Sequence, residues 1–177
     1  MRKVLFILGQ LSDDDVELLA SQGRRRDVPA GECIIRQGEA VSEIFILIDG
    51  RMEVSVTGFG PVAEIGSGEI IGEMSFIDRR PPAASVTALG PCRLLALSRS
   101  GLEAQLAAHP PFAARFYKAI ATFLSDRLRG TVSRLGFGNG LTEETEMEDE
   151  LDLGVLENLH LAGGRFDRML KRLGGAP

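Results

Sequence analysis

Between Arg24 and Leu97 every apolar run is short, and a glycine or proline corner stands between each run and the next. The runs are Val28-Pro29-Ala30-Gly31, Cys33-Ile34-Ile35, then Ile44 to Ile48 and Met52 to Val56 on either side of Asp49-Gly50. Ala63-Glu64-Ile65-Gly66 follows, and Ser85 to Leu89 and Cys92 to Leu97 flank the Gly90-Pro91 turn. Short β runs punctuated by turn residues are the pattern of an antiparallel sandwich or barrel.

Helical spacing flanks this β region on both sides. Ser12 as cap, Asp15 in the first turn and Val16, Leu18, Leu19 and Ala20 behind it predict a helix that Gly23 ends. Ser98 and Ser100 offer caps for a helix through Leu102, Gln105 and Leu106, which His109-Pro110-Pro111 breaks. From Phe112 to Leu135, Phe112, Phe116, Ala119, Ile120, Phe123, Leu124 and Leu128 recur at three and four residues and define a long amphipathic helix.

Gly136 to Gly140 reads as a break, and Glu143 to Asp152 as an acidic linker with no intervening base. Leu151 to Leu156 suggests a second short helix, and Phe166, Met169, Leu170 and Leu173 a final one flanked by Arg165, Arg168, Lys171 and Arg172. The expected division is therefore a domain over 1–135 and an acidic linker with amphipathic helical tail over 136–177. Three destinations stay open for the basic tail: a protein partner through 150–173, an anionic membrane, or the chain's own acidic segment.

A chain of 177 residues buries one good core with a small appendage. Hydrophobic content of 44%, 6% aromatics and 21 glycines suit a turn-rich β protein capped by helices. A net charge of −5 argues against a nucleic-acid partner, which needs a basic face. Cys33 and Cys92 stand far apart in apolar runs, as core residues of a protein in a reducing cytoplasm would. The opening Met1 to Gly9 is read as a structural segment, since its apolar run is short and Ser12-Asp13-Asp14-Asp15 follows; no run is long enough to span a bilayer. His109 and His160 lack the partners of a catalytic pair or metal site, so neither an enzyme nor a metal centre is expected.

Gly68-Glu69-Ile70-Ile71-Gly72-Glu73-Met74-Ser75 and Pro82-Ala83-Ala84-Ser85-Val86 read as a loop that holds a phosphate and a ribose. A Gly-Glu pair lets backbone approach a ligand and offers a carboxylate to a sugar hydroxyl, while the Ala-Ala-Ser-Val run can form an anion-binding nest. This segment resembles the phosphate-binding cassette of the cyclic-nucleotide-binding domain family, which includes catabolite activator proteins and the regulatory subunits of cyclic-AMP-dependent protein kinase. Pro29-x-Gly31-x-x-Ile34-x-x-Gln37-Gly38-Glu39 and Gly50-x-x-Glu53-Val54 resemble that family's early strands, and the likeness runs from about Leu18 to about Arg134.

The resemblance implies a mainly β chain, an antiparallel jelly roll with an N-terminal helix, a long C-terminal helix and a short helical tail. It implies a regulatory or sensor module of bacterial type, with cAMP or cGMP as ligand and no resident cofactor. Gly72 and the amides of Met74 and Ser75 would make close backbone contacts, Glu73 would meet a ribose hydroxyl, and Ala83, Ala84 and Ser85 would face the phosphate. Pro82 stands where the family has an arginine that pairs bidentately with the phosphate. Arg79 or Arg80 would have to substitute, or the cassette would be a retained corner of a non-binding scaffold that recruits a partner. The helix after Pro111 would lid the ligand, move relative to the cassette and form a homodimer seam. Family members that read DNA continue into a winged helix-turn-helix, which the acidic tail does not match, so no DNA binding by this chain alone is expected.

Overall fold

The computed structural model describes residues 8–134 together with 164, 165, 168, 169 and 171. Ser12 opens α1, Asp13–Gln22, with a reciprocal cap: its hydroxyl accepts from the Asp15 amide, and the Asp15 carboxylate accepts from the Ser12 amide at 2.7 Å. Three aspartates in the first turn face the positive end of the helix dipole, and Gly23 closes the last turn by donating to the Leu19 carbonyl.

Eight strands follow: β1 Arg24–Val28, β2 Cys33–Ile35, β3 Glu43–Asp49, β4 Arg51–Val56, β5 Gly60–Gly66, β6 Ile70–Ile71, β7 Ser85–Ala88 and β8 Cys92–Ser98. They form two antiparallel four-stranded sheets, ordered β1-β8-β3-β6 and β2-β7-β4-β5, so the expected jelly roll is the fold. Helix α2, Glu73–Asp78, interrupts the roll between β6 and β7, while α3, Arg99–Ala108, and α4, Pro110–Arg134, follow it. Ser98 caps α3 as the sequence predicts, and α3 ends at His109; the proline pair expected to form the break is instead the first turn of α4.

Apolar side chains sort into two cores, and β3 contributes to both. Phe45 and Leu47 point between the sheets with Met52, Ile65, Val86 and Leu94. Ile44, Ile46 and Ile48 point the other way, joining Leu95 and Leu97 of β8 under Val16 and Leu19 of α1 and Phe112, Phe116 and Phe123 of α4. Alternation along a strand normally leaves one wet face; here helices cover it. At the β3–β4 turn Gly50 has φ 104°, and a Cβ there would lie 2.6 Å from Cys92 Sγ, so both conformation and space require glycine.

β1 departs from apolar patterning, since Arg24-Arg25-Arg26 gives no hydrophobic period. It is held by its ladder to β8 and by guanidinium pairs, Arg24 with Glu43 at 2.9 Å and Arg26 with Glu32 at 2.7 Å. Both cysteines are free thiols, Cys92 buried between the sheets and Cys33 half-buried. No described helix is long and apolar enough to cross a membrane.

The break at 136–140, the acidic run over 143–152, the helix suggested at 151–156 and Phe166, Leu170 and Leu173 of the tail lie outside the described residues. The described tail residues are helical and sit on α1: Arg165 and Arg168 reach Asp13, and Met169 is 1% exposed within the outer core.

Candidate functional site

Gly72 is the N-cap of α2 with φ 88° and ψ 6°, and a Cβ there would stand 3.4 Å from the Glu43 carbonyl and from Ile35 Cδ1. The left-handed glycine turns the chain from β6 into the helix, and so places Glu73 at the first turn with its side chain inward, 2% exposed. The amides of Glu73, Met74 and Ser75 have no acceptor within the helix by position alone.

The inward carboxyl meets the long helix. Glu73 Oε1 accepts from Arg127 Nη1 at 2.6 Å, and Arg127 Nη2 reaches Glu69 Oε2 at 3.4 Å and the Ile70 carbonyl at 3.5 Å. The guanidinium lies over the Phe123 ring, 4.3 Å from its centroid. Burial pushes the Glu73 carboxyl above its ordinary value; Arg127 and the amides of Glu73 and Gly72 oppose this, and Glu69 adds to it.

A carboxyl raised in the folded state favours folding below the ordinary glutamate value and loses that contribution as pH rises through the raised one. Thermal melts across this range should therefore show the native chain gaining stability on acidification relative to Glu73→Gln. Parallel pH curves for the two proteins would contradict the assignment.

Two further arginines brace the site. Arg99 donates to the Ser75 carbonyl at 3.1 Å and to the Phe76 carbonyl at 3.2 Å, tying the end of α2 to α3. Arg115 forms a bidentate pair with Asp15 at 2.6 and 2.9 Å, joining α4 to α1. Burial alone would raise the Asp15 carboxyl, but the bonds from Arg115 and Ser12 outweigh it and hold it below its usual range.

The segment expected from sequence to face a phosphate, 82–85, is anchored at both ends. The Pro82 carbonyl accepts from the Gly38 amide at 2.9 Å, and Ser85 Oγ accepts from the Gln37 amide at 3.0 Å, so 82–85 is fastened to the β2–β3 corner. Ala83 is exposed and Ala84 half-buried, while the Met74 side chain faces solvent and Ser75 is buried. Arg79, at φ 60°, directs its guanidinium to Glu103 of α3 at 3.6 Å. Arg80 is exposed, and its amide donates to Asp78 Oδ1 at 3.0 Å.

A cavity of about 170 Å³ opens beside the cassette, lined by residues including Arg26, Ile35, Val41, Glu43 and Phe45 and by no cassette residue. Ile35 and Glu43 are also the neighbours against which Gly72 packs. Arg127 was not among the residues singled out from sequence. Its signal is present: Phe116, Ile120, Phe123 and Arg127 follow at four, three and four residues, so a cation continues the buried stripe.

The double-sheet roll, with its β6–β7 segment opening on a left-handed Gly-Glu step and its acid engaged by a flanking helix, has the architecture of a solved cyclic nucleotide-binding domain. Residues 25–109 match the model of the cyclic nucleotide-binding domain. The chain carries a domain of the cyclic-nucleotide-binding domain family. It is 32% identical over 123 residues to the cyclic AMP receptor protein of Thermus thermophilus, covering 67% of this chain and 55% of that protein. It is 34% identical over 112 residues to the Pycsar effector protein XpPycTIR of Xanthomonas perforans, covering 63% of this chain and 37% of that one. Among solved structures, a cyclic nucleotide-binding domain from Methylobacillus flagellatus superposes with a TM-score of 0.67 at 26% identity, covering 75% of this chain and 80% of that chain. The chain spans 37% and 55% of the length of these two curated relatives.

Proposed function

We propose that the chain is a sensor module that takes a cyclic nucleotide at the cassette and passes its occupancy to α4. The observation that carries this reading is the Glu73–Arg127 contact, which joins the cassette acid to the helix at 2.6 Å. Arg127 Nη1 is committed to Glu73, whereas Nη2 reaches its two oxygens at distances long for such bonds. A ribose hydroxyl there would accept from Nη2 and donate to Glu73. One ligand group would then touch cassette and helix together, and its binding would bias the helix position.

The phosphate would rest on the amides of the cassette, because Pro82 supplies no donor. A missing charge-assisted contact costs about 1.5–3 kcal/mol. Titration calorimetry with cAMP and cGMP should therefore show weak binding by the native chain, about tenfold to hundredfold tighter binding by Pro82→Arg, and none by Glu73→Ala. Absence of heat with both the native chain and Pro82→Arg would overturn the sensor reading. It would leave the second one, a scaffold recruiting a partner through 150–173, which Pro82 itself favours. In either reading the chain is a binding module and not an enzyme, and two free thiols fit a cytoplasmic setting.

α4 also supplies a seam for a second copy. Tyr117, Leu128 and Val132 are 46%, 64% and 42% exposed, and with Ala121 and Leu124 they follow at spacings of three and four along one face. A homodimer through the 111–135 helix is the proposed assembly. Light scattering should give twice the chain mass for the native protein and a monomer for Leu128→Glu; a native monomer would remove the seam.

A further inference from the structure

The tail on α1 is held by contacts of two very different strengths. Arg165 Nε donates to Asp13 Oδ1 at 2.6 Å and Arg168 Nη2 to Asp13 Oδ2 at 2.9 Å, so two arginines one turn apart grip a single carboxylate. The Arg168 and Asp13 side chains are 59% and 48% exposed, and an ion pair at such exposure contributes little, while Arg165 is 11% exposed. Arg165 Nη1 adds a bond to the Leu8 carbonyl at 3.0 Å, ahead of the capped start of α1.

The buried anchor among the described tail residues is Met169, which enters the outer core beside Val16 and Ala20. Even there the fit is incomplete. A cleft of about 30 Å³, partly open to solvent, remains beside the anchor, bounded by residues including Asp13, Val16, Ala20, Arg165, Arg168 and Met169. Solvent reaches the edge of the contact, and methionine, with its unbranched flexible stem, fills irregular sites without specifying them. By contrast, α1 is fixed to the domain independently of the tail, through the Asp15–Arg115 pair and Leu19 in the core.

From this we infer that the Asp13, Val16 and Ala20 face of α1 is a reversible docking site for a basic helix of pattern Arg-x-x-Arg-Met, and that the chain's own 164–171 segment is its tethered occupant. Charge sets the orientation: the acidic first turn of α1 takes the arginines, and the apolar turn behind it takes the methionine. The segment between Arg134 and Gly164 is long enough to let the tail leave and return, since an extended chain spans about 3.3–3.6 Å per residue. Undocking exposes the groove and the Arg-x-x-Arg-Met helix at once. This inference does not depend on whether the cassette takes a nucleotide.

The test uses the full chain and a fluorescein-labelled synthetic peptide of residues 160–177. Arg168→Glu/Met169→Asp reverses one charge and places a carboxylate where the buried anchor sat, which ejects the tethered tail, so this variant should bind the peptide at least about tenfold more tightly than the native chain, in which the tail competes at high effective concentration. Adding Asp13→Lys to the variant should weaken peptide binding several-fold, and rising salt should weaken it as well. Hydrogen exchange on the native chain provides a readout free of substitutions: tail amides should exchange much faster than those of α1. Failure of the folded double variant to bind the peptide, or tail amides protected as well as those of α1, would make the tail a permanent part of the core and overturn the inference. A native dimer dissolved by the double variant would seat the tail on a second copy and overturn the assignment within one chain.

Discussion

Phe123→Ala is expected to lower the unfolding free energy by about 3–5 kcal/mol, the range for removing a fully buried aromatic from a packed core. The ring has no exposed surface and lies where the outer sheet face meets α4. Its loss removes more than packing. The face of the ring carries the Arg127 guanidinium, so truncation also frees the cation that engages Glu73. Denaturant titration should show the midpoint falling sharply with the slope retained, and Phe123→Leu should recover much of the loss in stability while lacking the aromatic face. A shift under about 1 kcal/mol for the alanine variant would mean that this part of α4 is not packed on the roll, at odds with a cavity-forming truncation.

Arg127→Ala is expected to cost about 3 kcal/mol, since removing the cation leaves buried Glu73 without its charged partner. The Arg127 side chain is 29% exposed and Glu73 3%, so solvent repairs only part of the loss. The effect on ligand should be larger than the effect of any exposed charge. Without the Nη2 donor, cyclic nucleotide binding by the Pro82→Arg protein should fall at least about tenfold, the scale of one charge-assisted bond. Arg127→Lys separates the two roles: a lysine restores the charge at Glu73 but cannot serve two acceptors in a planar fork. Stability should recover while affinity does not. Affinity unchanged in Arg127→Ala would detach the helix from the cassette's function.

What the residues announced and what they concealed follow one physical division. Local chemistry was legible: Ser12 and Asp15 predicted the cap, Gly23 the end of α1, and the Asp49-Gly50 and Gly90-Pro91 pairs the turns, while the long helix expected from Phe112 begins at Pro110, since proline is tolerated in a first helical turn. β1 was hidden because its arginines take their stability from β8 and from carboxylates elsewhere, which no period reveals. For Arg127 the helical period shows a cation on the buried stripe but not what it meets. Its partner Glu73 is distant in sequence, and a guanidinium in an amphipathic helix reads as solvated until the acid beneath it is known. The tail's amphipathic pattern was plain, but its destination was not. The described tail residues choose Asp13 of α1, a carboxylate that the sequence presents only as a dipole-facing first-turn acid.

The double burial of β3 carries a consequence for how such a chain can vary. A strand with one wet face tolerates polar replacement at every second position; from Ile44 to Ile48 no such position exists, since each side chain meets either the opposing sheet or a helix. This stretch is thus closed to drift on both sides, and any library built on the scaffold should leave it untouched together with Gly50 beyond it.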